Sequence, residues 1–345
     1  MRAAVTVGKY KLEVRDIGIP ELGPEEALIK VKYTGICGTD AHIYGGTFPL
    51  LNYPIVPGHE FVGTLVDINT RSTQLKDFKP GDWVVAQPFF SCYVCDTCAE
   101  GGDNYCNDIN VLGVHVNGSM AEYVKVPAKK LVKVDEGADI QLVALTEPLG
   151  VGVHCLTKSG FKVGNSAFII GGGVIGVMIA IAARVAGASK IILCDINEYR
   201  LDFVRSLGFE AMDTREPDFF NRLMAHTDGK GFDSVFEATG SAFGIKTMTA
   251  AAKRGGIIIQ AGISAESHPL HVRSFSDKEI QIRGVRIHAF SDFKTALNIL
   301  QSGKETAALS RVITNVYPLE RAADAMSFQV KDANHFKVIV ENESF

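Results

Sequence analysis

Several common features are missing from this 345-residue sequence, and each absence narrows what the chain can be. No stretch approaches the ~18–20 uninterrupted apolar residues of a membrane span, and the N-terminus has no apolar signal region. The formal net charge is only -4, so there is no excess of basic residues to hold a nucleic-acid backbone. We therefore expect a cytoplasmic protein that binds neither nucleic acid nor a membrane.

Cysteine is also scarce, and most of it lies in one place. Four of the seven cysteines fall within residues 91–107, in the order Cys-x2-Cys-x2-Cys-x7-Cys: Cys92, Cys95, Cys98 and Cys106. Four thiolates at this spacing can close a tetrahedral site around one structural zinc ion. An iron–sulfur cluster or disulfides would also suit the spacing, but a chain of this length does not need disulfide staples. Cys155 and Cys194 lie among apolar residues and are expected to pack in the core.

The length and the strand pattern together predict two domains. As far as about residue 128, short alternating strands such as 27–34 and 59–66 are broken by glycine and proline, which indicates a β-barrel-like or sandwich-like domain. Near Gly164 the pattern changes to apolar strands that alternate with helices. This alternation predicts an α/β domain with a parallel, doubly wound sheet.

The pattern also predicts the individual elements after Gly164. The expected strands are 165–170, 190–194, 233–238, 256–260 and 279–285, with a helix at 174–186. Beyond Arg286 the sequence predicts two amphipathic helices, 293–301 and 319–328, and a last strand, 336–341. Periodicity alone does not decide whether this last strand returns to the first domain.

A glycine motif, Gly171-Gly172-Gly173-Val174-Ile175-Gly176, stands between the first predicted strand and helix of the second domain. In this setting Gly171 permits a tight turn, Gly173 lets backbone amides approach a pyrophosphate, and Gly176 lets the helix lie close to the strand. Val174 and Ile175 open the helix, whose N-terminus faces the anion. The motif therefore predicts a dinucleotide site.

The choice of dinucleotide depends on Asp195, which closes the next predicted strand nineteen residues after Gly176. A carboxylate there accepts hydrogen bonds from the adenosine ribose and repels a 2′-phosphate, so NAD is favoured over NADP. Arg200, five residues further on, either packs on the adenine or is a solvated arginine at a helix start.

A second group of metal-binding residues lies near the N-terminus. Cys37 is followed, twenty-two residues later, by His59 and then Glu60. A thiolate, an imidazole and a carboxylate are typical ligands of a catalytic zinc ion, which keeps one position open and can polarise an alcohol oxygen. Because neighbouring residues of a strand face opposite ways, His59 and Glu60 can both reach one ion only if the chain bends at Pro57-Gly58.

The whole chain resembles the zinc-containing medium-chain alcohol dehydrogenases. Six motifs occur in the order found in that family: Cys37-Gly38-Thr39-Asp40, Gly58-His59-Glu60, Gly81-Asp82-Trp83-Val84, the four-cysteine lobe, Glu147-Pro148-Leu149 and the glycine motif. The resemblance implies a GroES-like, β-rich catalytic domain at 1–149 and 287–345, with a structural zinc lobe at about 91–107. It also implies a Rossmann NAD-binding domain at 150–286, two zinc ions and a homo-oligomer, either a tetramer or a dimer.

The resemblance also implies the roles of individual residues. Cys37 and His59 would hold the catalytic zinc, and either Glu60 or Glu147 would complete the set of ligands. Glutamate at 147 is similar to the polyol and threonine dehydrogenases, in which it orients or deprotonates the zinc-bound water or alcohol. Thr39 and His42 would relay the alcohol proton to solvent.

The substrate is indicated by weaker similarities. Tyr44 resembles an aromatic residue of the polyol pocket, and Arg286 resembles an arginine of the sorbitol-type pocket, although Ile287 replaces the usual tyrosine. Residues 112–119 look closer to the branch that includes galactonate- and gulonate-type dehydrogenases. The expected activity is NAD-dependent oxidation of a secondary alcohol of a sugar acid or a polyol. The alternatives are L-threonine 3-dehydrogenase and a zinc-stabilised NAD-binding protein without turnover.

Overall fold

The computed structural model describes residues 1–49, 53–343 and 345. The chain forms two compact units: a terminal unit, Met1–Glu147 with Phe293–Phe345, and an inserted unit, Pro148–Asp292. The expected boundaries lay two residues from the first junction and six from the second. Both junctions fall inside continuous helices, Thr146–Ser159 and Phe290–Gln301, so the two units are joined by helix rather than by an irregular linker.

The terminal unit begins with strands that are short and partly buried. The strands are β1 Arg2–Gly8, β2 Lys11–Asp16, β3 Glu26–Gly35, β4 Glu60–Asn69, β5 Trp83–Ala86, β6 Phe89–Phe90, β7 Asn110–Val111, β8 Tyr123–Pro127 and β9 Leu131–Lys133. The helices are α1 Gly38–Tyr44, α2 Asp96–Ala99 and α3 Ile140–Val143, with 3-10 turns at Thr73–Leu75, Asp103–Tyr105 and Ala128–Lys130.

Strand β3 is the centre of this unit because it pairs antiparallel with both β4 and β8. Its alternate residues Ala27, Ile29 and Val31 are at most 1% exposed and lie in the same apolar cluster as Phe61 and Leu65 of β4. The predicted alternation is therefore present as far as Val31, but a register shift between Val31 and Tyr33 interrupts it, so that Thr34 is buried and Tyr33 only half-buried.

The inserted unit is built from parallel strands and helices. Its strands are β10 Ser166–Ile170, β11 Lys190–Asp195, β12 Glu210–Asp213, β13 Phe232–Glu237, β14 Ala252–Gln260 and β15 Gln281–Gly284. Its helices are α4 Thr146–Ser159, which starts in the terminal unit, α5 Val174–Val185, α6 Glu198–Ser206, α7 Phe219–Ala225, α8 Ala242–Ala251 and α9 Arg273–Lys278.

The six strands of the inserted unit run in the order β12-β11-β10-β13-β14-β15, and every pair is parallel. This order is that of a doubly wound dinucleotide-binding sheet, as predicted. Cys155 and Cys194 are buried, which confirms that they are packing residues. Strand β12 was not predicted, since it has only four residues and two of them are acidic.

The chain then returns to the terminal unit through α10 Phe290–Gln301, α11 Thr306–Val312, β16 Ile313–Pro318, α12 Ala322–Lys331 and β17 Lys337–Glu341. The prediction missed α11 and β16, which are short and only partly buried. The predicted helix 319–328 is divided into a 3-10 turn, Leu319–Arg321, and α12. No helix in the described ranges has the length and apolarity needed to cross a membrane.

The last strand settles the question that periodicity left open. Strand β17 pairs parallel with β16 and antiparallel with β3, where Ile339 lies opposite Gly35. The seven-stranded sheet of the terminal unit therefore contains both ends of the chain, in the order β16-β17-β3-β4-β5-β9, with β8 also paired to β3.

We predict that Ile339→Ala destabilises the protein, because Ile339 is fully buried in β17. A cavity of this kind costs about 2–5 kcal/mol of unfolding free energy, which urea denaturation would measure. Val316→Ala is the matched control, since Val316 is 45% exposed on the neighbouring strand and should cost about 0.5 kcal/mol or less. Equal losses in the two variants would contradict the placement of β17 in the core.

Candidate active site

The expected bend before Glu60 is present at Gly58. His59 precedes β4, which begins at Glu60, and Gly58 has a φ of +98°. A Cβ atom at Gly58 would lie 2.7 Å from Thr34 Cγ2 and 3.0 Å from the backbone nitrogen of Met120. Only glycine fits this left-handed, crowded turn. The turn takes His59 out of the strand alternation, so its ring and the Glu60 carboxylate can approach one point.

Three side chains converge at this bend. Each of Cys37, His59 and Glu60 offers a ligand atom, and these atoms all lie within 4.8 Å of one another. Tetrahedral zinc with ligands at about 2.0–2.3 Å would hold them roughly 3.3–3.8 Å apart, so small adjustments suffice. Their donor atoms are sulfur, nitrogen and oxygen, which fit a catalytic zinc ion. Glu147 is buried at the start of α4 and is not a member of this cluster.

A buried carboxylate that the sequence analysis did not assign, Asp40, connects two of the ligands. Asp40 accepts hydrogen bonds from the backbone N–H groups of Cys37, at 2.9 Å, and Gly58, at 3.0 Å. Its Oδ1 also lies 3.7 Å from His59 Nδ1, a buried atom with no hydrogen-bond partner. A carboxylate behind a histidine ligand fixes the orientation of the ring. An acidic residue three positions after the residue that precedes a helix can accept a hydrogen bond from that residue's N–H group. This spacing of Asp40 and Cys37 is visible in the sequence and could have identified the role of Asp40.

The surroundings of His59 are strongly negative. Burial lowers the pKa of His59, but the charges of Asp40, Cys37 and Glu147 outweigh burial and hold that pKa well above its ordinary value. A field of this sign favours a positive charge at the ring, either a proton or a metal ion. The cluster therefore suits a cation electrostatically as well as by its donor atoms.

Glu60 has a second partner, Lys337, which sequence reasoning also missed. Lys337 Nζ lies 2.7 Å from both oxygens of Glu60 and donates a hydrogen bond to Ile36 O at 3.1 Å. Lys337 is 3% exposed and Glu60 is 1% exposed. Burial raises the pKa of Glu60 in spite of the opposing charge of Lys337. No local pattern could reveal this pair, because its members are 277 residues apart.

The other residues expected at the catalytic site lie on α1. Thr39 is half-buried in the first turn, and His42 is exposed, with Nδ1 2.9 Å from Thr47 Oγ1. Tyr44 is 8% exposed and belongs to a core cluster, where its ring meets Tyr10 edge-on at 5.6 Å. The helix therefore brings Thr39 and His42 to its accessible side, whereas Tyr44 packs inside the terminal unit.

The four clustered cysteines also converge. The Sγ–Sγ distances are 3.5 Å for Cys92–Cys106, 3.8 Å for Cys95–Cys106 and 4.0 Å for Cys92–Cys98. Zinc–sulfur bonds of about 2.3 Å give tetrahedral edges of about 3.8 Å, so the four sulfurs fit one zinc ion. All seven cysteines lie in described parts of the chain and are free, which makes the disulfide alternative wrong. The N–H groups of Val94 and Cys95 lower the pKa of Cys92 to about 6, which favours the thiolate that a metal needs.

The glycine loop lies between β10 and α5, as its sequence predicts. Gly171 has a φ of +111°, and a Cβ at Gly176 would lie 1.9 Å from Gly171 O, so the helix starts against the loop backbone. A Cβ at Gly173 would meet nothing within 4 Å, which leaves the start of α5 open to a ligand. Val174 and Ile175 are half-buried in the first turn of the helix.

Asp195 closes β11 beside this loop. Its Oδ2 accepts a hydrogen bond from the N–H of Gly172 at 2.8 Å, and its Oδ1 accepts from Ile196 and Asn197 at 2.7 and 2.9 Å. The Arg200 guanidinium lies 3.7 Å from Oδ2 and is 39% exposed. The carboxylate therefore joins the glycine loop to the following turn, and Arg200 lies next to it at the surface.

A second carboxylate at the same edge of the sheet, Glu237, was not assigned from the sequence. Glu237 is fully buried at the end of β13 and accepts hydrogen bonds from the N–H groups of Thr239 and Gly240, both at 2.9 Å. Gln260 Nε2 donates to it at 2.7 Å. The position of Glu237, a charged residue at the end of an otherwise largely apolar strand, could have indicated this role from the sequence. Its bonds fix the loop that follows β13 against the glycine loop, where Thr239 Cγ2 would meet a Cβ at Gly171.

Arg286 lies just beyond β15 and is exposed. The next residue, Ile287, has a φ of +53°, which is uncommon for a β-branched side chain. This turn separates exposed Arg286 from His288, which is fully buried.

Comparisons with known proteins agree with this geometry. Residues 23–136 match the model of the alcohol dehydrogenase GroES-like domain, and residues 174–302 match that of the zinc-binding dehydrogenases. L-Galactonate-5-dehydrogenase of Escherichia coli is 32% identical, over 90% of this chain and 89% of the relative. Sorbitol dehydrogenase of Bacillus subtilis is 29% identical, over 99% and 97%.

The fold has close counterparts among solved structures. A zinc-binding dehydrogenase from Sinorhizobium meliloti, solved with NADP, superposes with a TM-score of 0.87 at 31% identity, over 99% of this chain and 98% of the other. The chain belongs to the zinc-containing medium-chain alcohol dehydrogenase family, in its polyol and sugar-acid branch. It is therefore an oxidoreductase of the zinc- and NAD-dependent type.

We predict that Cys98→Ser lowers the zinc content from two ions per chain to one and reduces stability, because structural zinc contributes to the folding free energy. The expected loss is about 5–10 °C in the midpoint of thermal unfolding, with metal measured by elemental analysis. Cys194→Ala is the control, since Cys194 is buried in β11 and should keep both ions. Iron with visible charge-transfer absorption in the wild type would favour a cluster and contradict the assignment.

Proposed function

We propose that this protein oxidises a secondary alcohol of a sugar acid or a polyol to the ketone, with NAD as hydride acceptor. The observation that carries the proposal is the convergence of Cys37, His59 and Glu60 in a member of this family. A protein that only bound a nucleotide would have no need of this buried ligand set. The turnover-free alternative is therefore less well supported.

We assign different roles in the reaction to the residues of the terminal unit. When bound, zinc supplies Lewis-acid activation of the alcohol, and NAD accepts the hydride. Cys37, His59 and Glu60 would hold the metal, and Asp40 would keep the ring of His59 in position. Glu147, which is buried at the start of α4, is assigned to orienting or deprotonating the alcohol.

The alcohol also loses a proton, which must reach solvent. Thr39 has a hydroxyl that can accept and donate a proton at the start of α1. His42 is exposed one turn further along the same helix and can release the proton. We assign Thr39 and His42 to the two ends of this relay.

The proposed preference for NAD rests on Asp195. Its carboxylate is already hydrogen-bonded to Gly172 of the phosphate-binding loop, so a nucleotide ribose in this site would lie close to its charge. A 2′-phosphate would meet like-charge repulsion there, and the partly exposed Arg200 guanidinium, 3.7 Å from Oδ2, offsets only part of that charge.

We predict that wild-type enzyme favours NAD over NADP by roughly two orders of magnitude or more in kcat/KM. Asp195→Ser should reduce that ratio by at least about tenfold, because it removes the repelling charge. Steady-state kinetics with both cofactors measures the ratio. Asp202→Ser, an exposed acid on α6, is the control and should leave the ratio unchanged. Equal use of both cofactors by the wild type would refute the role of Asp195.

We favour a sugar acid over a neutral polyol as substrate because Arg286 is exposed beside a strained turn. A guanidinium binds a carboxylate through two charge-assisted hydrogen bonds, which a hydroxyl cannot match in strength or direction. The left-handed Ile287 and the buried His288 restrict the backbone on which Arg286 stands, so its position is defined although its side chain is accessible.

Assembly and compartment are also part of the proposal. All four residues of β15 are exposed, and within the described sheet this strand pairs only with β14. An open edge strand can pair with a second copy of the chain, which supports a homo-oligomer, either a dimer or a tetramer. Seven free cysteines, five of them in the two metal clusters, are typical of a reducing compartment, which supports the cytoplasm.

We predict that purified, zinc-loaded protein reduces NAD with an aldonate, and that Arg286→Ala raises the KM for that aldonate about tenfold or more. The matching polyol should change by less than about threefold, because it lacks the carboxylate. Initial rates of NADH formation with the aldonate, the polyol and L-threonine would measure this.

Arg273→Ala is the control, because Arg273 is an exposed arginine on α9 whose guanidinium forms an ion pair with Asp277. Equal losses for aldonate and polyol would remove the acid hypothesis. Turnover of L-threonine alone would establish the threonine alternative, and no turnover of any alcohol would refute the proposed activity.

A further inference from the structure

The ion pair of Lys337 and Glu60 lies inside the proposed zinc site rather than beside it. Glu60 is one of the three converging ligands, and the Lys337 ammonium is 2.7 Å from each of its oxygens. The geometry of a hydrogen bond is met only at Oε1, and Oε2 has no hydrogen-bond partner. Oε1 of Glu60 therefore accepts a hydrogen bond from Lys337, and Oε2 remains available as a metal ligand.

Three neighbouring strands hold this pair in place. Gly35 of β3 lies directly opposite Glu60 of β4, and it also lies opposite Ile339 of β17, two residues after Lys337. A Cβ at Gly35 would lie 2.1 Å from Glu60 Oε2, so the carboxylate rests on the backbone of β3. The ammonium is fixed from the other side by Ile36 O. The contacts with β3 and with Ile36 O therefore hold the two charged groups next to each other.

Lysine and zinc would compete for the same carboxylate. Glu60 carries a single negative charge, and both a divalent ion and the Lys337 ammonium would be attracted to it. Two cations that share a buried carboxylate repel each other strongly, because little solvent screens them. Glu60 is consequently a weaker ligand than it would be without Lys337.

We propose that Lys337 is a positioning residue that keeps Glu60 a weak, exchangeable ligand of the catalytic zinc. The inference rests on the proposed zinc site at Cys37, His59 and Glu60. A weakly bound Glu60 would neutralise less of the positive charge of the zinc ion. It would also be displaced more easily by the substrate.

We predict that Lys337→Met binds the catalytic zinc more tightly. Zinc release to a chromogenic chelator should be at least about tenfold slower than in the wild type, because Glu60 is freed to bind the metal fully. Lys337→Gln, which keeps a hydrogen-bond donor but not the charge, should change in the same direction. The release of structural zinc from the four-cysteine lobe, in the same trace, should stay as in the wild type.

Two further variants make the result decisive. Lys32→Met is the matched control, because Lys32 is a partly buried lysine of β3 paired with Glu341, and it should release zinc at the wild-type rate. On a Glu60→Gln background, adding Lys337→Met should change release by less than about twofold, since Lys337 acts through Glu60. Cobalt in place of zinc should show a shifted visible spectrum in Lys337→Met and an unshifted one in Lys32→Met.

Failure of the inference and failure of the site are distinguishable. If Cys37→Ser still holds two zinc ions, the proposed catalytic site is wrong. If Cys37→Ser holds one zinc ion, but Lys337→Met and Lys337→Gln release zinc at the wild-type rate or faster, the site stands and the role of Lys337 is overturned. Should Lys337→Met fail to fold, Lys337→Gln alone decides the outcome.

Discussion

The pairing of β3 with both β4 and β17 is the constraint on which the proposed active site depends. Strand β4 begins at Glu60, directly after the turn that aims His59, and β3 leads into Cys37. Strand β17 brings Lys337 from the far end of the chain to the same place. Backbone hydrogen bonds across three strands therefore fix the distances between side chains that have no local relationship in sequence.

Buried charges in this region are matched in pairs. Asp40 lies behind His59 and binds two backbone amides, whereas Lys337 lies against Glu60. An unpaired charge of either sign would be costly at this depth, since burial penalises the ionised form. The pairing permits a concentrated group of ionisable residues in a folded protein, and it leaves His59 Nδ1 and Glu60 Oε2 without hydrogen bonds of their own.

In the inserted unit, carboxylates at the ends of two strands bind the backbone N–H groups of nearby loops. Asp195 binds the amide of Gly172, and Glu237 binds the amides of the loop after β13. Loops at the carboxyl edge of a parallel sheet have few backbone partners, so a carboxylate that accepts several N–H groups gives them a defined shape. The nucleotide would thus meet a preformed loop at the start of α5.

The sequence by itself determined the local features: the parallel apolar strands, the glycine loop with Asp195, the four-cysteine spacing and the need for a bend at Gly58. Each of these depends on residues close together in the chain, where periodicity and spacing carry the information. Only the tertiary structure decided the return of β17, the grouping of Glu60 rather than Glu147 with Cys37 and His59, and the partners Asp40 and Lys337. These depend on the register of strands that are distant in sequence, and register follows from the packing of a whole sheet rather than from any local pattern.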